Sequence, residues 1–111
     1  MALQSESRLF FVIVNCPGED VALQIGRAAI ESGLAKAFNI SAPMKTGYLW
    51  QGQFTENVEY QLIFKIGEAS KAPLFELAKK MHPFEVAAIK ALPITDTDPD
   101  YLAFVLDRKP R

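Results

Sequence analysis

Several residues have the types and spacing to do chemistry. His82 is the sole histidine and stands just before Pro83, where a helix is expected to end. It reads either as a metal ligand or general base, or as a helix terminator whose ring interacts with the last carbonyls. A metal site needs three or four converging ligands, so one imidazole does not make one. Cys16 closes an apolar run beside Pro17. The helix start after it would lower a thiol pKa, but Glu19 and Asp20 oppose that effect, and a buried structural thiol is the expectation. Asp96-Thr97-Asp98-Pro99-Asp100 imitates the opening of a calcium loop, yet Tyr101 stands where that loop needs glycine. Helix capping explains the run better. Glu59 and Lys65 share the polar side of a long strand. Such charges are ordinarily solvated; if another chain covers that side, they line an inter-subunit pocket for a small charged ligand. Tyr48 and Trp50 lie on one face of a hairpin tip, as packing anchors of an interface or as the aromatic wall of the same pocket.

The hairpin that carries them is the most informative element. It extends from Lys36 to Ile66 and turns at Gln51-Gly52, with breaks expected near Ala42-Pro43 and Gly47. On the return arm Phe54, Val58, Tyr60, Leu62, Phe64 and Ile66 alternate with Gln53, Thr55, Asn57, Glu59, Gln61 and Lys65. A strand from Gln53 to Ile66 would extend roughly 45 Å, whereas a compact domain of this length is about 35 Å across. The tip, with Tyr48, Trp50 and Phe54 expected on one apolar face, therefore outruns its own core and calls for cover by another chain.

The remaining elements follow from periodicity and punctuation. Leu9–Cys16 is a continuous apolar run, which predicts a central strand buried on both faces. A helix is expected over 19–32, stopped by Gly33, and a second from a Ser70 cap through Leu74, Leu77, Ala78 and Met81 to Pro83. Val86–Thr95 reads as a strand that Pro93 confines to a sheet edge. Asp98-Pro99 starts a short helix burying Leu102 and Val105. The order βαββαβ plus a helix predicts an α+β, ferredoxin-like sandwich with both main helices on one face of an antiparallel sheet. The other sheet face would then be bare in a lone protomer, a second reason to expect partner chains.

Composition narrows the function classes. The chain has 111 residues, half of them hydrophobic, and a net charge of -1, which suits one domain with a real core and no nucleic-acid footprint. The ends, 1–7 and 108–111, are expected to be flexible. No apolar run is long enough to cross a bilayer, and Met1–Ser7 has no signal-peptide regions, so a cytoplasmic location is the expectation. A single cysteine excludes an intramolecular disulfide and any CxxC motif. Nucleophilic catalysis lacks a convincing Ser/His or Cys/His arrangement, Phe64-Lys65-Ile66-Gly67 is not an RNA-binding string, and Gly18 and Gly26 form no phosphate loop.

Tyr48-Leu49-Trp50-Gln51-Gly52-Gln53, Glu59, Lys65, His82-Pro83-Phe84, Leu92-Pro93-Ile94 and Asp100-Tyr101-Leu102 together resemble the CutA divalent-cation-tolerance family over nearly the whole chain. The resemblance implies a ferredoxin-like fold, a tight homotrimer related in architecture to PII-type signalling proteins, no enzymatic activity, and a role in tolerance of copper and other divalent cations. It makes His82 the candidate metal residue, with Cu or Zn as the cation and none essential, and Tyr48, Trp50, Glu59 and Lys65 the candidate walls of an inter-subunit cleft. Val14 and Ala37 stand where some relatives carry cysteines, and Ala88 where the usual pattern has a glutamate, so soft-metal ligands are poorly supplied. The alternative from a different class is a signalling or scaffold trimer that docks a protein partner.

Overall fold

The structure, a computed structural model, describes residues 8–106; the expected flexible ends lie outside the described residues. Its elements are β1 (Leu9–Cys16), α1 (Glu19–Glu31), β2 (Phe38–Ile40), β3 (Met44–Trp50), β4 (Gln53–Gly67), a 3-10 turn (Glu68–Ser70), α2 (Lys71–Met81), β5 (Ile89–Ile94) and α3 (Pro99–Val105). The antiparallel sheet runs β2-β4-β1-β5, with β3 paired to the outer half of β4. This is the βαββαβ sandwich the periodicity predicts, with the first arm of the hairpin divided in two.

The core lies on one sheet face. Phe10, Val12, Val14 and Cys16 of β1 join Leu62, Phe64 and Ile66 of β4, and Ala22, Ile25 and Ala29 of α1 with Leu74 and Ala78 of α2 cover them. The expectation that β1 is buried on both faces is corrected: Phe11 is exposed, and Ile13 and Asn15 are half-buried. Both helices sit on the even-numbered side of β1, so among the described residues no helix covers Phe11 and Ile13 on the odd side. Gly26 permits the close packing of α1 on β2, since a Cβ there would lie 2.8 Å from the Phe38 ring. Gly33 adopts φ +76° after the helix, the left-handed stop the sequence implies.

Other boundaries differ from expectation for local reasons. Ser70 does not cap α2 with its side chain, because the 3-10 turn runs straight into the helix and holds Ser70 in a helical conformation. The hairpin breaks at Ser41–Pro43 as expected, but Gly47 continues β3 in register with Glu56 and makes no bend. The last strand is shorter than Val86–Thr95: residues 82–88 form an irregular loop, and pairing with β1 begins at Ile89. Pro93 does lie on an edge strand. Asp98 caps α3 as predicted, its carboxylate accepting from the N–H groups of Asp100 and Tyr101 at 3.0 and 3.2 Å.

The ribbon is as long as its spacing implies. The molecule measures 46 × 27 × 24 Å, with a radius of gyration of 15.0 Å against about 13 Å for a compact domain of this length. Leu49 and Phe54, paired across the tip, are 72% and 70% exposed.

Candidate ligand cleft

Pairing within the hairpin decides which side chains meet. Tyr48 lies opposite Thr55, Trp50 opposite Gln53 and Met44 opposite Glu59, so Tyr48, Trp50 and Glu59 share one face. Phe54 pairs with Leu49 and belongs to the other face. The expectation that Phe54 stands with Tyr48 and Trp50 is therefore corrected: residues directly opposite share a side, and Phe54 is one step out of phase.

Glu59 is buried although it lies on the polar side of the return arm. The loop 82–88 folds across the end of the sheet there. Pro83, Phe84, Glu85 and Val86 join Tyr48, Trp50, Glu59 and Asn15 around a cleft of about 640 Å³. A larger hollow of about 840 Å³, between the end of α1 and α3, gathers none of the predicted site residues.

Asn15 organises the cleft and was not legible as a site residue. Its side-chain Nδ2 donates to Glu59 Oε1 at 3.2 Å, and its Oδ1 accepts from Lys90 Nζ at 3.1 Å. Its backbone holds both ends of the loop: the N–H donates to the Ala88 carbonyl at 3.0 Å, and the carbonyl lies 2.7 Å from His82 Nε2. The one available signal was an amide inside the apolar run Leu9–Cys16, where a polar group needs partners.

His82 is buried, and both its ring nitrogens are engaged. Nδ1 accepts from the Phe84 N–H at 3.1 Å, so the ring proton sits on Nε2 and is donated to the Asn15 carbonyl. The ring also stacks edge-on to Phe84, with centroids 5.1 Å apart. His82 is thus adjacent to the cleft but anchors its loop. Among the described residues no group of three or more His, Cys, Asp or Glu side chains is placed to hold a metal.

Lys65 does not reach the cleft. It faces Phe11 across the sheet, roughly 20 Å along β4 from Glu59 at about 3.4 Å per residue, and donates to Asn39 Oδ1. Cys16 is fully buried, and that burial, with the negative charge of Glu59 behind it, pushes its thiol up to about 11. It is a packing residue rather than a nucleophile. No described helix is long and apolar enough to cross a membrane.

Comparison with known proteins gives a consistent picture. The family model described as "CutA1 divalent ion tolerance protein" matches residues 10–108. A divalent-cation tolerance protein CutA of Thermotoga maritima is 33% identical over 94 residues, covering 85% of this chain and 92% of the relative. Mouse protein CutA is 36% identical over 92 residues, covering 83% of this chain but 52% of the mouse protein, and the Xenopus laevis homologue is covered over 64% of its length. The chain thus spans about half to two thirds of these vertebrate relatives. The solved structure of the Thermus thermophilus divalent cation tolerance protein superposes with a TM-score of 0.86 at 32% identity, covering 92% of this chain and 99% of that one.

Proposed function

The chain belongs to the CutA1 divalent ion tolerance protein family, and from that membership we propose that it acts in divalent-cation tolerance as a non-enzymatic homotrimer, with the cleft at Glu59 as its ligand site. The observation that carries the assembly is the hairpin tip. Leu49, Phe54 and Val58 are 72%, 70% and 52% exposed on an arm that extends past the core. Burying such side chains is worth about 1.5–3 kcal/mol each, and other copies of the ribbon offer a matching apolar face. Phe11 and Leu92 on the open sheet face add to that surface.

The cleft then lies beside a subunit boundary, with Tyr48 and Trp50 as aromatic wall and Glu59 as its buried carboxylate. Lys65 belongs to such a site only where a neighbouring copy brings it near. A copper or zinc ion is a ligand of the assembly and no cofactor is essential to its fold; the cytoplasm is the proposed compartment. Sedimentation velocity at micromolar concentration tests the assembly, and calorimetry with Cu(II) and Zn(II) tests the metal. A stable lone protomer would overturn the first, and absence of heat the second.

A second reading is favoured by the loop that walls the cleft. Val86 is 66% and Phe84 39% exposed there, a surface suited to docking a protein in the manner of a PII-like scaffold. Stoichiometric capture of one protein that Val86→Asp abolishes would select this reading.

A further inference from the structure

The cleft has a chemistry of its own. Within one protomer its lining includes the carboxylates of Glu59 and Glu85 and no basic side chain, with Tyr48, Trp50 and Phe84 as aromatic walls. Glu59 is 6% exposed, and its one hydrogen bond from the described residues is the Asn15 amide on Oε1. No buried side-chain oxygen or nitrogen in the described residues is left unpartnered, so Oε2 keeps contact with solvent, which the cleft supplies. A carboxylate accepts up to about four hydrogen bonds, and three-quarters of that capacity remains.

We infer that this cleft binds an organic ammonium ion, whose N–H groups bond Glu59 and whose carbon skeleton lies against Tyr48, Trp50 and Phe84. The inference rests on the reading of this cleft as a ligand site and departs from it on the ligand, an ammonium in place of a metal ion. A bare divalent ion fits less well. It needs several converging donors, while Glu59 is the only buried carboxylate of the lining and both nitrogens of His82 are spent on Asn15 and Phe84. An alkylammonium needs only one charged acceptor and is attracted to aromatic faces within about 6 Å. A volume of about 640 Å³ falls in the range of small-molecule sites. Lys90 does not line the cleft; its ammonium is bonded to Asn15 Oδ1, on the other side of the amide that bonds Glu59.

Trp50 is the only tryptophan of the chain, so its emission reports on the cleft directly. The full chain is titrated with benzylammonium, with benzyl alcohol as the neutral molecule of the same shape, and with zinc chloride alone. Benzylammonium is expected to change Trp50 emission saturably and to bind at least tenfold more tightly than benzyl alcohol. Glu59→Gln, which still accepts from Asn15, is expected to remove that tenfold preference. Equal binding of alcohol and ammonium, or a preference that survives Glu59→Gln, would overturn the inference. If Glu59→Gln does not fold, the comparison of ammonium with alcohol on the native chain by calorimetry decides the same question. Failure of benzylammonium with zinc still giving heat refutes this inference alone; a lone protomer without heat for either metal refutes the functional reading.

Discussion

The imidazole of His82 is locked to the backbone of Asn15, Nε2 lying 2.7 Å from the carbonyl oxygen, while the opposite nitrogen takes the Phe84 N–H. One side chain thereby satisfies a carbonyl of β1 and an N–H of the loop, where the helix before it has ended and Pro83 forbids its continuation. That arrangement makes His82 a strut for the loop over Glu59.

The strut predicts a tautomer and a response to metal. Nitrogen-detected NMR of the imidazole is expected to show the proton on Nε2 and an accepting Nδ1, unchanged by excess zinc. Loss of the Nε2 proton signal on adding zinc would instead make His82 a ligand, as the family resemblance implies. His82→Ala leaves the Asn15 carbonyl and the Phe84 N–H without their partners. It should cost about 2 kcal/mol, read as a lower midpoint in urea denaturation.

The fold was legible because periodicity and punctuation agree along most of the chain. Leu9–Cys16, the Gln51-Gly52 turn, Gly33 and the Asp98-Pro99 cap each act through local chemistry, and local chemistry is written in consecutive residues. The site was only half legible. Tyr48, Trp50 and Glu59 all come from one hairpin, but residue alternation sets Tyr48 and Trp50 with Phe54 on the face opposite Glu59, and only the observed register brings the three to one side. The role of Asn15 depends on how the irregular loop 82–88 lies across the sheet end, a tertiary fact with no periodic signature. The same loop explains why β5 begins later than a run of apolar residues from Val86 suggested.

Cys16 gives a pH dependence. Its folded value of about 11 lies above the 9.0 of the free thiol. Below pH 9 the thiol is protonated in both states. Between 9 and 11 the unfolded chain releases the proton and the folded chain keeps it, so stability falls as pH rises through that window. Cys16→Ala removes this contribution. Thermal midpoints measured from pH 8 to 11 should therefore fall more steeply in the native chain than in the variant, and parallel curves would contradict the assignment. At pH 8 the folded thiol should also resist a disulfide reagent until denaturant is added.

Gly26 and Phe38 offer a test of packing in which opposing effects can be weighed. Alanine is favoured over glycine inside a helix by about 1 kcal/mol. Its Cβ, however, would meet three atoms of the Phe38 ring at 2.8–2.9 Å, and overpacking of this kind costs about 1–3 kcal/mol. Gly26→Ala is expected to be destabilising, by about 1 kcal/mol net. Combined with Phe38→Leu it should be better tolerated than the sum of the single changes predicts. Strict additivity in denaturant titrations would show that the ring moves aside without cost.

The hairpin tip makes the assembly testable by charge. Leu49 and Phe54 lie directly opposite one another, on the face away from Glu59, and both are largely exposed. Neither contributes to the protomer core, so a polar replacement there should leave the fold intact. Where copies cover this face, Phe54→Glu forfeits about 1.5–3 kcal/mol of burial per chain and adds a desolvated carboxylate at each contact. A tenfold change in affinity corresponds to about 1.4 kcal/mol, so a trimer using three such contacts should weaken by several powers of ten. The expected result is a sedimentation coefficient that falls to that of a 12.3 kDa protomer at micromolar concentration, with the far-ultraviolet circular dichroism unchanged. An assembly that withstands Phe54→Glu together with Leu49→Lys would mean that the ribbon tip is covered by something other than its own copies.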